Sequence, residues 1–130
     1  MNLELALQLV AGCEREAKRI GIAGTAAVLD EGGNLVAQHR MDGAMLGSIR
    51  LSERKAYTAV ALRAPTERAA MAAAPGAPLY GLQHLGEYVI FGGGVPVTAD
   101  GTLIGGLGFS GGTPEQDASV VKESLRAAGY

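Results

Sequence analysis

The chain has 130 residues, 48% of them hydrophobic and 18% charged, which is the size and composition of one folded domain and not of a disordered segment. Eleven basic side chains stand against thirteen acidic ones, and this net charge of -2 provides no general attraction for nucleic acid or for anionic membranes. The sequence has neither a membrane-spanning apolar run nor the positive start of a secretory signal, so we expect one cytoplasmic domain over residues 1–130.

The first part of the chain predicts a helix followed by a β-hairpin. Apolar residues recur every three or four positions over residues 3–20, and Asn2 and Gly21 are suited to cap the two ends of that helix. Residues 25–30 and 35–40 are β-prone runs on either side of a glycine-rich turn. These two runs are therefore predicted to pair as antiparallel strands.

The middle of the chain predicts a second helix and then an irregular segment. Small apolar residues at helical spacing favour a helix over residues 48–63, which Pro65 ends. Thr66 is predicted to cap a short alanine-rich turn, and the proline and glycine residues that follow make residues 64–87 the least regular stretch. This stretch is the natural candidate for a lid.

The last part predicts three strands and a final helix. The strand candidates are residues 87–91, 95–99 and 102–109, the last two joined by an Asp-Gly turn. Thr113 is suited to cap a helix that starts with proline and an acidic first turn. The order α-β-β-α-α-β-β-β-α predicts an α/β protein of the α+β class, with helices packed on an antiparallel sheet.

Cysteine and histidine are too sparse for a dedicated metal site. Cys13 is the single cysteine, which excludes an internal disulfide and a thiolate cluster, and we expect it in the core.

Glycine is abundant at 20 residues, about twice its average usage. Few aromatic and many small side chains predict a homo-oligomer, a dimer or larger, because one such chain has little bulk for its own core.

Several short motifs occur in a fixed order along almost the whole chain. They are Val28-Leu-Asp30 with Gly33, Arg40-Met-Asp-Gly43, Lys55-Ala-Tyr-Thr58, Gly92-Gly-Gly-Val-Pro96 and Ser110-Gly-Gly-Thr-Pro-Glu-Gln-Asp117. Together they resemble the GlcG/HbpS-like family, which includes haem-binding proteins and the C-terminal domain of PduO-type cobalamin adenosyltransferases. The resemblance covers about residues 3–127 and implies a five-stranded antiparallel sheet surrounded by helices. It also implies assembly into dimers or rings, and either haem binding or action on small catabolic intermediates.

Lys55 and Asp42 are the predicted catalytic residues. Lys55 lies among small residues that would let its helix approach the sheet, and burial would lower the pKa of the amine toward values useful for proton transfer or imine chemistry. Thr58 shares that side of the helix. Arg40 and Asp42 share one face at a strand end, where they form either a structural ion pair or, through Arg40, an anchor for a substrate carboxylate.

Glycine loops supply the other predicted substrate-binding groups. The backbone amides of Gly93, Gly94 and Gly111 lie at strand ends, where they would either bind carboxylate oxygens or simply form tight turns. Ser110 and Glu115 flank the second loop, and Glu115 also suits the helix dipole without any further role. These residues predict a cofactor-free protein for a small keto, imine or enamine acid, such as a hydrolase, deaminase or tautomerase.

Haem binding is the alternative prediction. Related adenosyltransferase-type domains offer a histidine on the first helix, where this chain has Lys18. A haem would therefore depend on His84, Tyr80 or His39, and His39 is more readily explained by a structural or surface role.

Overall fold

The chain forms a four-stranded antiparallel sheet with helices on both faces, and the computed structural model describes residues 1–130. The strand order is β2-β1-β4-β3, and every neighbouring pair is antiparallel. The elements in chain order are α1 Leu3–Ile20, β1 Thr25–Asp30, β2 Leu35–Arg40, α2 Gly47–Leu62, α3 Thr66–Ala72, a 3-10 helix Leu82–Leu85, β3 Gly94–Ala99, β4 Thr102–Ser110 and α4 Pro114–Ala128.

The helix ends follow the local signals of the sequence. The Asn2 side chain accepts a hydrogen bond from the Leu5 amide at 2.8 Å, and Gly21 ends α1 in the left-handed conformation. At α4, Thr113 and Gln116 form a reciprocal capping box. The predicted starts of α1 and α4 are therefore confirmed.

The predicted fifth strand over residues 87–91 is wrong. β3 pairs only with β4 and remains an edge of the sheet. The Val89 amide donates to the Thr58 hydroxyl at 2.9 Å, so a side chain of α2 takes the place that a strand carbonyl would have. The Val89 amide is therefore satisfied without pairing to a neighbouring strand. The fold belongs to the expected α+β class, but its sheet has four strands.

Thr66 does not cap its helix as predicted. It is the first residue of α3, and its hydroxyl accepts a hydrogen bond from the Gly94 amide at 2.9 Å. This contact joins α3 to the start of β3. Residues 64–87, predicted to be the least regular stretch, contain one α-helix and one 3-10 helix.

The sheet separates α2 from the pair α1 and α4. Gly108 allows close contact on the α2 side, because a Cβ there would overlap the Ser52 carbonyl. On the other side, Leu107 and Phe109 of β4 pack in one apolar cluster with residues of α1 and α4. Cys13 belongs to that cluster, and burial raises the pKa of its thiol to about 12. None of the helices combines the length and apolar character needed to cross a membrane.

Candidate functional site

A groove of about 580 Å³ lies between α3 and α4, with the loop before β3 as its floor. It is the most spacious recess described on the surface of the chain. Its walls combine apolar side chains with groups of both charges, an arrangement typical of small-molecule sites. The lining residues are Glu67, Ala70, Phe91, Gly92, Pro114, Glu115, Ala118, Ser119 and Lys122.

A buried ion pair lies beneath this groove. The Lys55 side chain is 1% exposed, and its Nζ donates to Asp117 Oδ2 at 2.7 Å and to the Phe109 carbonyl at 2.9 Å. The other carboxylate oxygen of Asp117 accepts from the Gly112 amide at 2.8 Å. The pair thus joins α2, the end of β4 and the first turn of α4.

The Lys55 amine lies close to one of the residues that line the groove. The Phe91 ring is centred 5.4 Å from Nζ, within cation–π range, and the same side chain lines the groove. Gly93 follows with φ of +119°, and a Cβ at this position would lie only 2.8 Å from Nζ. Any larger residue at Gly93 would therefore collide with the Phe109 carbonyl, the Asp117 side chain and the amine.

Burial lowers the pKa of Lys55, and the carboxylate of Asp117 partly opposes this shift. Between that lowered pKa and the ordinary value of 10.5, the unfolded chain holds a proton that the folded chain has released. The contribution of Lys55 to the free energy of unfolding therefore increases as the pH rises through this window.

We expect this pH dependence in the difference between wild type and Lys55→Met. Urea unfolding at about pH 8 and about pH 10 would give the two free energies of unfolding, and the wild type should gain stability relative to the variant at the higher pH. Other groups that titrate in this range are shared by both proteins and cancel in the difference. A constant difference across the window would contradict the assigned direction of the pKa shift.

Three of the predicted substrate-binding residues make contacts inside the fold. The Thr58 hydroxyl donates to the Arg54 carbonyl and accepts from Val89, and the Gly94 amide donates to Thr66. Gly111 packs against the backbone at Gly24, where no side chain would fit. Of the remaining predicted groups, Gly93 lies beside the amine, Ser110 is 6% exposed with no hydrogen bond from its hydroxyl, and Glu115 lines the groove.

Arg40 and Asp42 lie in a different recess. Arg40 donates to the Ala44 carbonyl at 2.8 Å instead of pairing with Asp42. Both residues line a depression of about 440 Å³ together with Glu14, Lys18 and Met41. The structure therefore does not bring the predicted anchor Arg40 together with Lys55.

The candidate haem ligands also lie outside the groove. His39 is 48% exposed, and its Nδ1 is 2.9 Å from Glu14 Oε1, beside the depression that contains Arg40. Tyr80 is exposed, and His84 belongs to the exposed surface of the 3-10 helix. The groove itself has no histidine, cysteine, methionine or tyrosine among its lining residues.

Sequence reasoning missed Asp117, Phe91 and Lys122. Asp117 was visible as the last residue of the Ser110–Asp117 motif, but its place in a first helical turn is explained equally well by the helix dipole. Phe91 was assigned to the strand that does not form. Lys122 forms an ion pair with Glu67 across the groove, a contact between two helices that no local pattern indicates.

Comparison with known proteins identifies the family. The family model described as haem degrading protein HbpS-like matches residues 1–126. The chain belongs to the HbpS-like family. This result confirms the resemblance that the ordered motifs indicate.

Two relatives match most of the chain. A 15.0 kDa protein of the dhaT-dhaS intergenic region of Citrobacter freundii is 42% identical over 127 residues, which are 96% of this chain and 89% of the relative. The corrinoid adenosyltransferase PduO of Salmonella typhimurium is 39% identical over 122 residues. That match covers 92% of this chain and 36% of PduO, so the chain spans about a third of that enzyme.

Solved structures agree with the fold. The crystal structure of a complex of PduOC with haem has a TM-score of 0.94 and 37% sequence identity. The match covers 98% of this chain and 94% of the PduOC chain. One relative with closely similar architecture has therefore been solved with haem.

Proposed function

We propose that the protein binds a small keto, imine or enamine acid of a catabolic pathway in the groove, with Lys55 and Asp117 as its proton-transfer pair. The observation that carries this proposal is a buried amine, held against a carboxylate, 5.4 Å from the centre of an aromatic ring that lines the groove. Buried titratable pairs beside a recess are typical of sites that transfer protons. Asp117 thus replaces Asp42 as the acid that accompanies Lys55.

The charges along the groove support a ligand with a carboxylate and a nitrogen. Lys122 provides the one positive charge on the wall and forms an ion pair with Glu67, while Glu115 provides a second negative charge. Phe91, Pro114 and Ala118 provide apolar surface for a short carbon skeleton. A ligand carboxylate would take the place of the Glu67 carboxylate at Lys122, and a protonated imine or amine would be attracted to Glu115.

The ion pair suits proton transfer at a carbon or nitrogen next to the carboxylate. The 2.7 Å contact lets Asp117 accept a proton from the Lys55 ammonium, after which the neutral amine can take a proton from the ligand. The same groups can return the proton at another atom of the ligand. Such a sequence would serve tautomerisation or prepare an imine for hydrolysis.

Filling the groove tests this site. Ala70→Trp should occupy the space without touching the ion pair, and pyruvate binding measured by calorimetry should be lost. Ala72→Trp is the matched control, because Ala72 lies on the same helix but does not line the groove. Equal pyruvate binding by both folded variants would exclude the groove as the site.

Haem binding is a second proposal, favoured by the PduOC complex. The donor chemistry beside α1 fits this ligand: Glu14 holds one ring nitrogen of His39, and the Nε2 atom makes no hydrogen bond within the chain. A carboxylate partner of this kind commonly orients a metal-bound histidine. Lys18 and Arg40 would balance the charge of the haem carboxylates, and the bound iron would supply redox chemistry.

The haem proposal predicts different effects for the two histidines. Haemin added to wild type should produce a Soret band, His39→Ala should weaken binding at least about tenfold through loss of the imidazole that would hold the iron, and His84→Ala should leave binding unchanged. Absorption titration measures all three. Equal affinity for wild type and His39→Ala would reject the assigned ligand.

We also propose that the chain is a homo-oligomer. Large apolar side chains are exposed close together in sequence on and after α3, including Met71, Leu79, Tyr80 and Leu85. Exposed apolar groups of this number on one segment are typical of a surface that is covered in an assembly.

Sedimentation at micromolar concentration should detect a species at least twice the 13.3 kDa of the chain. Leu79→Glu combined with Leu85→Glu should dissociate it, because two carboxylates would have to be buried at the contact. A wild-type protein that sediments as one chain at every concentration would contradict this proposal.

A further inference from the structure

We propose that Lys55 is also a nucleophile that forms a Schiff base with aldehydes or keto acids in the groove. This inference rests on the proposed function, because it assigns a covalent step to the same ligand site. It goes beyond proton transfer in that a bond forms between Nζ and the carbonyl carbon of the ligand.

The surroundings of Lys55 match those of a reactive amine. Its Nζ has one charged partner, Asp117, and one neutral partner, the Phe109 carbonyl, and it is shielded from water. Amines in such surroundings are activated because desolvation favours the neutral form over the ammonium form. The lowered pKa of Lys55 agrees with this geometry.

The route from the groove to the amine passes Phe91. This side chain is 38% exposed and follows a segment without regular secondary structure, so its rotation breaks no sheet or helix hydrogen bond. Gly92 lines the groove without a side chain, and Gly93 lies beside the amine. Displacement of the ring toward the solvent would open Nζ to a carbonyl group held in the groove.

The reaction balances within the site. Asp117 accepts a proton from the Lys55 ammonium, and the neutral amine adds to the carbonyl carbon while the carbonyl oxygen becomes a hydroxyl. Loss of that hydroxyl as water, with a proton returned through Asp117, leaves a protonated imine between Nζ and the ligand. One carbonyl compound and one ammonium group give one iminium ion and one water, and neither oxidant nor reductant is needed.

Reductive trapping tests this inference directly. The folded protein is incubated with glyoxylate and cyanoborohydride, which reduces the imine to a stable secondary amine, and peptide mass spectrometry locates the label. The chain has three lysines; Lys18 is exposed outside the groove and serves as the internal control, whereas Lys122 belongs to the groove lining. We expect at least about tenfold more label on Lys55 than on Lys18, because the neutral fraction of Lys55 at neutral pH is larger.

Two variants make the result specific. Phe91→Ala should label Lys55 several-fold faster if the ring closes the route, and Ala70→Trp should suppress labelling of Lys55 while leaving Lys18 unaffected. Label on Lys55 no greater than on Lys18, in wild type and Phe91→Ala alike, would overturn the inference. If the groove still binds pyruvate in calorimetry under those conditions, the proposed function stands; if that binding is also absent, both fail.

Discussion

Lys55→Met is expected to lower the free energy of unfolding by about 3–5 kcal/mol, the usual cost of removing one partner from a buried ion pair. Methionine fills much of the space of the lysine chain, so the loss comes mainly from the charge of Asp117. That carboxylate would keep its bond from the Gly112 amide but lose the ammonium at 2.7 Å. Urea unfolding monitored by circular dichroism measures the change.

A double variant distinguishes the loss of the ion pair from the loss of side-chain packing. Lys55→Met combined with Asp117→Asn should cost less than the sum of the two single changes, because the double variant leaves no unpaired buried charge. Lys18→Met is the matched control, since Lys18 is exposed, and it should change stability by no more than about 0.5 kcal/mol. A Lys55→Met protein as stable as Lys18→Met would show that the pair contributes nothing to the fold.

The second large effect is on turnover. For any keto, imine or enamine acid that the wild type converts, Lys55→Met should lower kcat by about 10²- to 10⁴-fold, the usual effect of losing a proton-transfer group. Asp117→Asn should also lower kcat, because the amide cannot accept the proton of the Lys55 ammonium. Steady-state kinetics on the folded variants measures both.

Arg40→Ala is the matched control for catalysis. Its guanidinium lines the other depression and donates to the Ala44 carbonyl, so kcat should remain at the wild-type value. Loss of activity in Arg40→Ala together with full activity in Lys55→Met would show that the reaction does not take place in the groove beside Lys55. It would support Arg40 and Asp42 as the reacting groups instead.

The parts of the fold that sequence could predict depend on contacts between near neighbours. Asn2 caps α1 through an amide three residues away, and Thr113 caps α4 in the same way. The fifth strand failed because the amide of Val89 binds Thr58, which lies 31 residues earlier. An apolar β-prone run shows that a segment can be buried, but it does not determine which group receives its hydrogen bonds.

The candidate site also has one part that local sequence predicts and another that depends on distant contacts. The small residues around Lys55 predicted that its helix approaches the sheet, and the amine is buried as that argument requires. Its partner Asp117 lies 62 residues away, and only the folded chain brings the two together. Arg40 and Asp42 are close in sequence, yet the turn after β2 directs the Arg40 guanidinium to the Ala44 carbonyl.

The location of ligand binding tests the central claim most directly. Backbone amide shifts in heteronuclear NMR, followed while pyruvate is added, report where the ligand lies. We expect shifts concentrated at Gly92, Gly93 and Ala118, around the groove and the buried amine. Shifts concentrated at Met41 and Asp42, with the groove amides unchanged, would contradict it.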